Sequence, residues 1–233
     1  MLLLSIDTST TICSVALHQN GTLLGNYELF TERTSSAMLT TLIDQVVQHT
    51  GFSLSQLDAV AVAKGPGSYT GLRIGVSTAK GLCFSLDKPL IAVNTLQGMA
   101  EHIRPFYATR ATGKPVLICP MIDARRMEVY CALFDTAGHE VAPTAAKIID
   151  EASFAAELAI HTLVFVGDGA AKCRSVLGNH PDALFPEIVI SPSARLIGQL
   201  AADAWHQGRF EDVVTFEPFY LKDFMATTPR KLV

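Results

Sequence analysis

"LLLSIDTSTTICSVALHQNGTLLGNYEL", Leu2 to Leu29, reads as three strands in a row. Leu2 to Ile6 is an apolar run of strand length. Asp7, Thr8, Ser9 and Thr10 are turn formers. Ile12 to Leu17 is a second strand, Asn20-Gly21 is a strong hairpin signal, and Thr22 to Leu29 is a third strand. The same order returns in "VLICPMIDARRMEVYCALFDTAGHEVAP", Val116 to Pro143. There an apolar run ends in Ile122-Asp123, and the polar turn Ala124-Arg125-Arg126 follows. A strand from Glu128 to Phe134 comes next, then a turn from Asp135 to Gly138 and a third strand. Asp7 and Asp123 stand 116 positions apart, so the spacing reads as an internal duplication rather than a solenoid repeat.

Working outward, each half continues with alternating helices and strands. The first half places helices at about Ser35–His49, Gly71–Leu86 and Leu96–Ile103, with strands at Ala59–Ala63 and Leu90–Val93. The second places helices at Ser153–Ile160, Ala170–Leu177 and Ala194–Gln207, with strands at Leu163–Val166 and Ile188–Ile190. Three strands followed by helix, strand, helix and strand make a mixed sheet covered by helices. The expected fold class is α/β, with two such lobes. The N-terminal lobe is residues 1–104, the linker 105–115 and the C-terminal lobe 116–208, whose last helix is free to return to the first lobe. A tail covers 209–233, with Met225 to Val233 expected to fray.

The chain has 233 residues, 49% hydrophobic and 17% charged, which is the balance of a folded globular protein. Its formal net charge is −4, and no run of Lys or Arg exceeds two residues. That excludes a broad basic footprint, so any nucleic-acid role is expected to be indirect. Five widely spaced cysteines in apolar surroundings suggest reduced, mostly buried thiols and a cytoplasmic location. No apolar stretch has the length of a membrane span.

Two lobes facing a cleft resemble the actin, sugar-kinase and Hsp70 superfamily. Within it, "IDTST", "KGPGSYTGLRIG" (Lys64–Gly75), "DARRMEVY" and "VGDGA" (Val166–Ala170), in this order, resemble the bacterial TsaB (YeaZ) family. The resemblance implies ribonuclease H-like lobes and a non-catalytic scaffold or activator. It implies binding to the catalytic subunit TsaD, together with the ATPase TsaE. The complex adds a threonylcarbamoyl group to N6 of the tRNA adenosine beside the anticodon. It further implies self-association in isolation, tRNA contact only through the complex, and ATP and Mg²⁺ only there. The alternatives are an independent ATP-dependent phosphotransferase of the sugar-kinase type and a homodimeric regulator.

Individual residues bear on that resemblance. Superfamily kinases carry a glycine in the loop after the first strand, where backbone N–H groups approach phosphate. Here Asp7, Thr8, Ser9 and Thr10 have none, and an Asx-type turn is the simpler reading. Asp123 occupies the matching place in the second lobe, with a salt bridge to Arg125 or Arg126 expected. Gly167, Asp168 and Gly169 open a helix, with Asp168 expected as its N-cap. These eight positions form a possible vestigial phosphate site.

The family's catalytic relative has a His-x-x-x-His metal pair. Ser35 and Leu39 stand where it would fall, and no two histidines are three or four apart. There is no Gly-x-Ser-x-Gly elbow and no Walker sequence, so no catalytic residue and no metal site is assigned. Gly71, Gly75 and Ala79 repeat every four residues, a spacing that lets another helix come close. With Met38, Leu39, Leu42, Leu72 and Val76 they are the expected partner-binding face.

Overall fold

The structure is a computed structural model, and it describes residues 1–30, 35–108 and 113–222. The first lobe contains β1 (Leu2–Asp7), β2 (Ile12–Gln19), β3 (Thr22–Phe30), α1 (Ser35–His49), β4 (Ala59–Gly65), α2 (Tyr69–Leu86), β5 (Leu90–Asn94) and α3 (Thr95–Tyr107). The second contains β6 (Val116–Asp123), β7 (Glu128–Asp135), β8 (Glu140–Ile148), α4 (Ala155–Ile160), β9 (Thr162–Val166), α5 (Asp168–Leu177), β10 (Ala183–Leu184) and α6 (Ala194–His206).

The sheets run β3-β2-β1-β4-β5 and β10-β9-β6-β7-β8. Read from opposite ends, they are the same sheet. In each, a three-strand antiparallel meander is extended by two parallel strands. The β2–β3 hairpin turns on Asn20 and Gly21, both with positive φ (50° and 80°), which the expected two-residue turn requires. The fold is thus two actin-like α/β lobes, each a mixed sheet with helices.

One expected strand is absent. Residues 188–190 form none, and Val189 is 85% exposed. The fifth strand is instead the short β10, paired parallel to β9 through Ala183 and Leu184.

The helices are shared between lobes. Leu96, Met99, Ala100, Ile103 and Tyr107 of α3 pack on Ile118, Ile122, Phe134 and Val164 of the second sheet. Ile197, Ala201 and Ala204 of α6 pack on Leu3, Ala61, Ile91 and Val93 of the first. The two helices meet where a Cβ on Gly98 would touch Ile197 and Leu196 at 3.5 and 3.7 Å. Arg104 to Tyr107, expected at the lobe boundary and in the linker, belong to α3, and Tyr107 is buried. Beyond α6 the chain straps back over the first lobe. Glu211 N–H donates to the Leu90 carbonyl (2.9 Å) and Phe219 N–H to that of Lys64 (2.7 Å), while Lys80 Nζ donates to the Phe216 carbonyl (2.8 Å). Met225 to Val233 lie outside the described residues.

Candidate functional site

The β1–β2 turn and the glycine loop before α2 clasp each other. Asp7 Oδ1 accepts from the backbone N–H (2.9 Å) and hydroxyl (2.7 Å) of Ser9, an Asx turn. The Thr8 hydroxyl donates to the Gly71 carbonyl at 2.7 Å, and the Ser68 N–H donates to the Ser9 carbonyl at 2.6 Å. Ser68 is the N-cap of α2, accepting from Gly71 N–H at 3.3 Å. A Cβ on Gly67 would collide with the Ser9 carbonyl, one on Gly71 with the Thr8 carbonyl, and one on Gly75 with the Thr8 hydroxyl. The glycines therefore serve close approach of α2 to its own sheet.

This corrects the expected partner-binding face. Leu39, Leu42, Gly71, Leu72, Gly75, Val76 and Ala79 are all buried within the lobe, and only Met38 of that set keeps partial exposure. The small-residue stripe points at Thr8 and Ile6 of the chain's own first strand and turn, which fill the space beside Gly71 and Gly75. The outward stripe of α2 is Arg73, Ser77, Gly81 and Phe84, and Thr40 and Thr41 are exposed on α1. Phe84 is 85% exposed.

The second lobe repeats the clasp. A Cβ on Gly167 would collide with the Met121 carbonyl, and one on Gly169 would lie 3.0 Å from Ile122. Gly167, not Asp168, is the N-cap position of α5. Asp168 begins the helix, and its Oδ1 accepts from the N–H groups of Asp123 (3.0 Å) and Gly169 (2.8 Å). Asp123 pairs with Lys172 Nζ at 2.7 Å rather than with the Arg125 or Arg126 side chain; Arg125 supplies only its backbone N–H, at 2.6 Å.

Charge differs between the matching aspartates. Asp7 is 1% exposed, its Oδ2 has no partner, and burial raises its pKa from 3.8 to about 6 against the two Ser9 bonds. Partial burial opposes ionisation of Asp123 too, but the Lys172 ammonium and the Arg125 N–H outweigh it and lower its pKa. At Asp168, loss of solvent around the carboxyl raises the pKa, against the two N–H bonds.

A cavity of about 260 Å³ lies where the two turns face each other. Thr10, Thr11, Ile12 and Phe30 line it from the first lobe, and Asp168, Ile190, Ser191 and Pro192 from the second. Of the eight positions expected there, the cavity brings together Thr10 and Asp168. Asp7, Thr8 and Ser9 are buried, while Asp123, Gly167 and Gly169 support the second turn. Sequence reading missed Phe30 and the segment 190–192, which carry no motif. It also missed the seam where Ser193 Oγ donates to Glu28 and Arg195 lies 3.4 Å from His102. Among the described residues, no cluster of three His, Cys, Asp or Glu is arranged for a metal.

A family model described as "TsaD: tRNA N6-adenosine threonylcarbamoyltransferase" matches residues 29–226. YeaZ from Pseudomonas aeruginosa superposes with a TM-score of 0.78 at 27% identity, over 94% of this chain and 99% of that one. The tRNA threonylcarbamoyladenosine biosynthesis protein TsaB of Haemophilus influenzae is 40% identical over 128 residues, 55% of this chain and 51% of that protein. The chain belongs to the TsaB (YeaZ) family. The Escherichia coli TsaB is 39% identical over 132 residues, 57% of this chain and 54% of that TsaB. The chain spans about half the length of these curated TsaB relatives. Among the described residues, no helix is long and apolar enough to cross a membrane.

Proposed function

We propose that the chain is a scaffold and activator subunit in tRNA threonylcarbamoyladenosine formation, docking a TsaD catalytic subunit and performing no transfer itself. The observation that carries this reading is the double clasp. The loop that resembles a phosphate cradle spends its leading donor, Ser68 N–H, on the Ser9 carbonyl. Its Gly67 and Gly71 faces are filled by the chain's own backbone. A phosphate-binding glycine loop needs open donors and open space. The relatives' names support the pathway, and the threonylcarbamoyltransferase family match supports a TsaD-related partner.

Ser77, Gly81 and Phe84 of the outward stripe of α2, with Thr40 and Thr41 of α1, are the docking face we assign to TsaD. It is short of charge and carries an exposed aromatic, Phe84. In isolation the same face pairs two copies of the chain. TsaE, with ATP and Mg²⁺, joins only in the complex.

The test is co-purification with TsaD from the native host. Phe84→Asp is expected to abolish it while the melting temperature holds. Retention of TsaD by a folded Phe84→Asp protein refutes the face. The interlobe cavity, with Thr10 and Asp168 among its lining residues, favours a second reading as a phosphotransferase. ATP turnover by the purified chain, abolished by Asp7→Ala or Asp123→Ala, would establish that reading and overturn the first.

A further inference from the structure

The loop from β6 to β7 presents two adjacent exposed arginines, Arg125 and Arg126, with φ of 72° and 50°. Left-handed backbone is unfavourable for residues with a Cβ, and such strain concentrates at functional positions. The loop is nonetheless held in place. Ala124 N–H donates to the Glu128 carbonyl (3.0 Å), Glu128 N–H to that of Arg125 (3.1 Å), and Arg125 N–H to Asp123 Oδ1 (2.6 Å).

Its charges are unevenly paired. Asp123 takes Lys172, and Glu128 takes Lys222. Each carboxylate has its own lysine, and among the described residues neither guanidinium has a carboxylate. The tip therefore carries an uncompensated positive pair on a chain whose net charge is −4.

Cations and rings continue from this tip along the C-terminal strap. Lys222 Nζ lies 5.6 Å from the centre of the Tyr130 ring. Tyr220, two residues earlier, packs on Tyr69 with ring centres 4.7 Å apart and planes tilted by 31°. The Arg73 guanidinium lies 5.4 Å from the centre of Tyr69. These contacts form a ridge from Arg73 and Tyr69 in the first lobe through Tyr220 and Lys222 to Tyr130 on β7, the strand that follows Arg125 and Arg126.

We propose that this ridge contacts the sugar–phosphate backbone of RNA, with Arg125 and Arg126 as its phosphate-binding pair. The proposal rests on the reading above, in which the complex acts on a tRNA. Guanidinium matches phosphate in a two-point fork. Cations interleaved with aromatic rings are the footprint of a nucleic-acid groove, whereas an acidic protein surface needs the cations alone. The charge is local, so the acidic chain needs no broad basic face.

The test is the salt dependence of binding to a fluorescein-labelled, unmodified tRNA transcript, for the full chain alone and with its TsaD. Arg125→Asn/Arg126→Asn keeps a residue type that tolerates left-handed backbone, and its melting temperature is measured alongside. That variant is expected to weaken binding about ten-fold or more at low salt. It is also expected to flatten the plot of log K against log salt by about 1.5, as for two lost phosphate contacts. Arg125→Lys/Arg126→Lys is expected to keep the slope and lose part of the affinity. An unchanged slope in the folded Asn variant overturns the proposal, as does absence of tRNA binding by both chain and complex. Loss of TsaD by the Asn variant with an unchanged tRNA slope also overturns it, making the ridge a protein contact. If the wild-type chain fails to retain TsaD yet shows the slope change, the scaffold reading falls and the ridge stands.

Discussion

Asp7 is a carboxylate kept almost free of water, with one oxygen unpartnered. Its folded pKa of about 6 lies above the usual 3.8. At about pH 3 and below it is mostly protonated whether folded or not, and burial is uncharged. As pH rises from 3.8 to about 6 the unfolded chain gives up this proton while the folded chain keeps it, so stability falls across that window and levels off above it. A shift of that size corresponds to about 3 kcal/mol. Asp7→Asn keeps an oxygen for both Ser9 bonds and removes the charge. We expect it to stabilise the protein by about 2–3 kcal/mol at about pH 8 and by almost nothing at about pH 3, read from urea unfolding at both. A gain independent of pH would contradict this origin. The turn was legible in Asp7-Thr8-Ser9-Thr10 because Asx geometry is local. The partner of Asp123 was not, because Lys172 is 49 residues away and closes the pair only when α5 lies on β6. The role of Asp168 was misassigned for a similar reason, since its carboxylate also holds the N–H of Asp123 at the end of β6.

At the scale of elements, most strands and helices could be read from periods of two and 3.6 residues, since each has one face that must be buried. The α2 stripe shows where such reading ends. Small residues every four positions announce that something comes close; they do not say what. Here it is Thr8, 63 residues before Gly71. Gly71→Ala is therefore expected to push α2 off its sheet and cost about 1–3 kcal/mol. A Cβ on Gly81 would meet nothing within 4 Å, and the position faces outward. Gly81→Ala is expected to stabilise by up to about 1 kcal/mol through helix propensity. Chemical unfolding of both variants checks the pair, and a neutral Gly71→Ala would contradict the clasp. The strand expected at 188–190 failed differently. Its apolar, β-branched residues suit a strand, yet Val189 is exposed and the place beside β9 is taken by Ala183 and Leu184.

At the scale of the whole molecule, exchange of α3 and α6 ties two sequence halves into one folding unit. The duplication was visible because each half repeats its own meander; of the exchange only the return of the last helix to the first lobe was anticipated, as an open option, because an amphipathic helix does not name the sheet it covers. Stripping α6 would expose Leu3, Ile91 and Val93 of the first sheet. We expect a single unfolding transition, with fluorescence of Trp205 on α6 and far-ultraviolet circular dichroism coinciding. Two separate transitions would mean that the lobes fold apart. The same rigid frame is what a scaffold presents to a catalytic partner. The most direct test of that role is the rate at which TsaD and TsaE, supplied with ATP and an activated threonylcarbamoyl donor, form threonylcarbamoyladenosine in unmodified tRNA with wild-type chain, with Asp7→Asn/Asp123→Asn chain, and with none. The account predicts formation that requires the chain and proceeds at a similar rate with the double variant; undiminished formation without the chain, or none with the folded double variant, would contradict it.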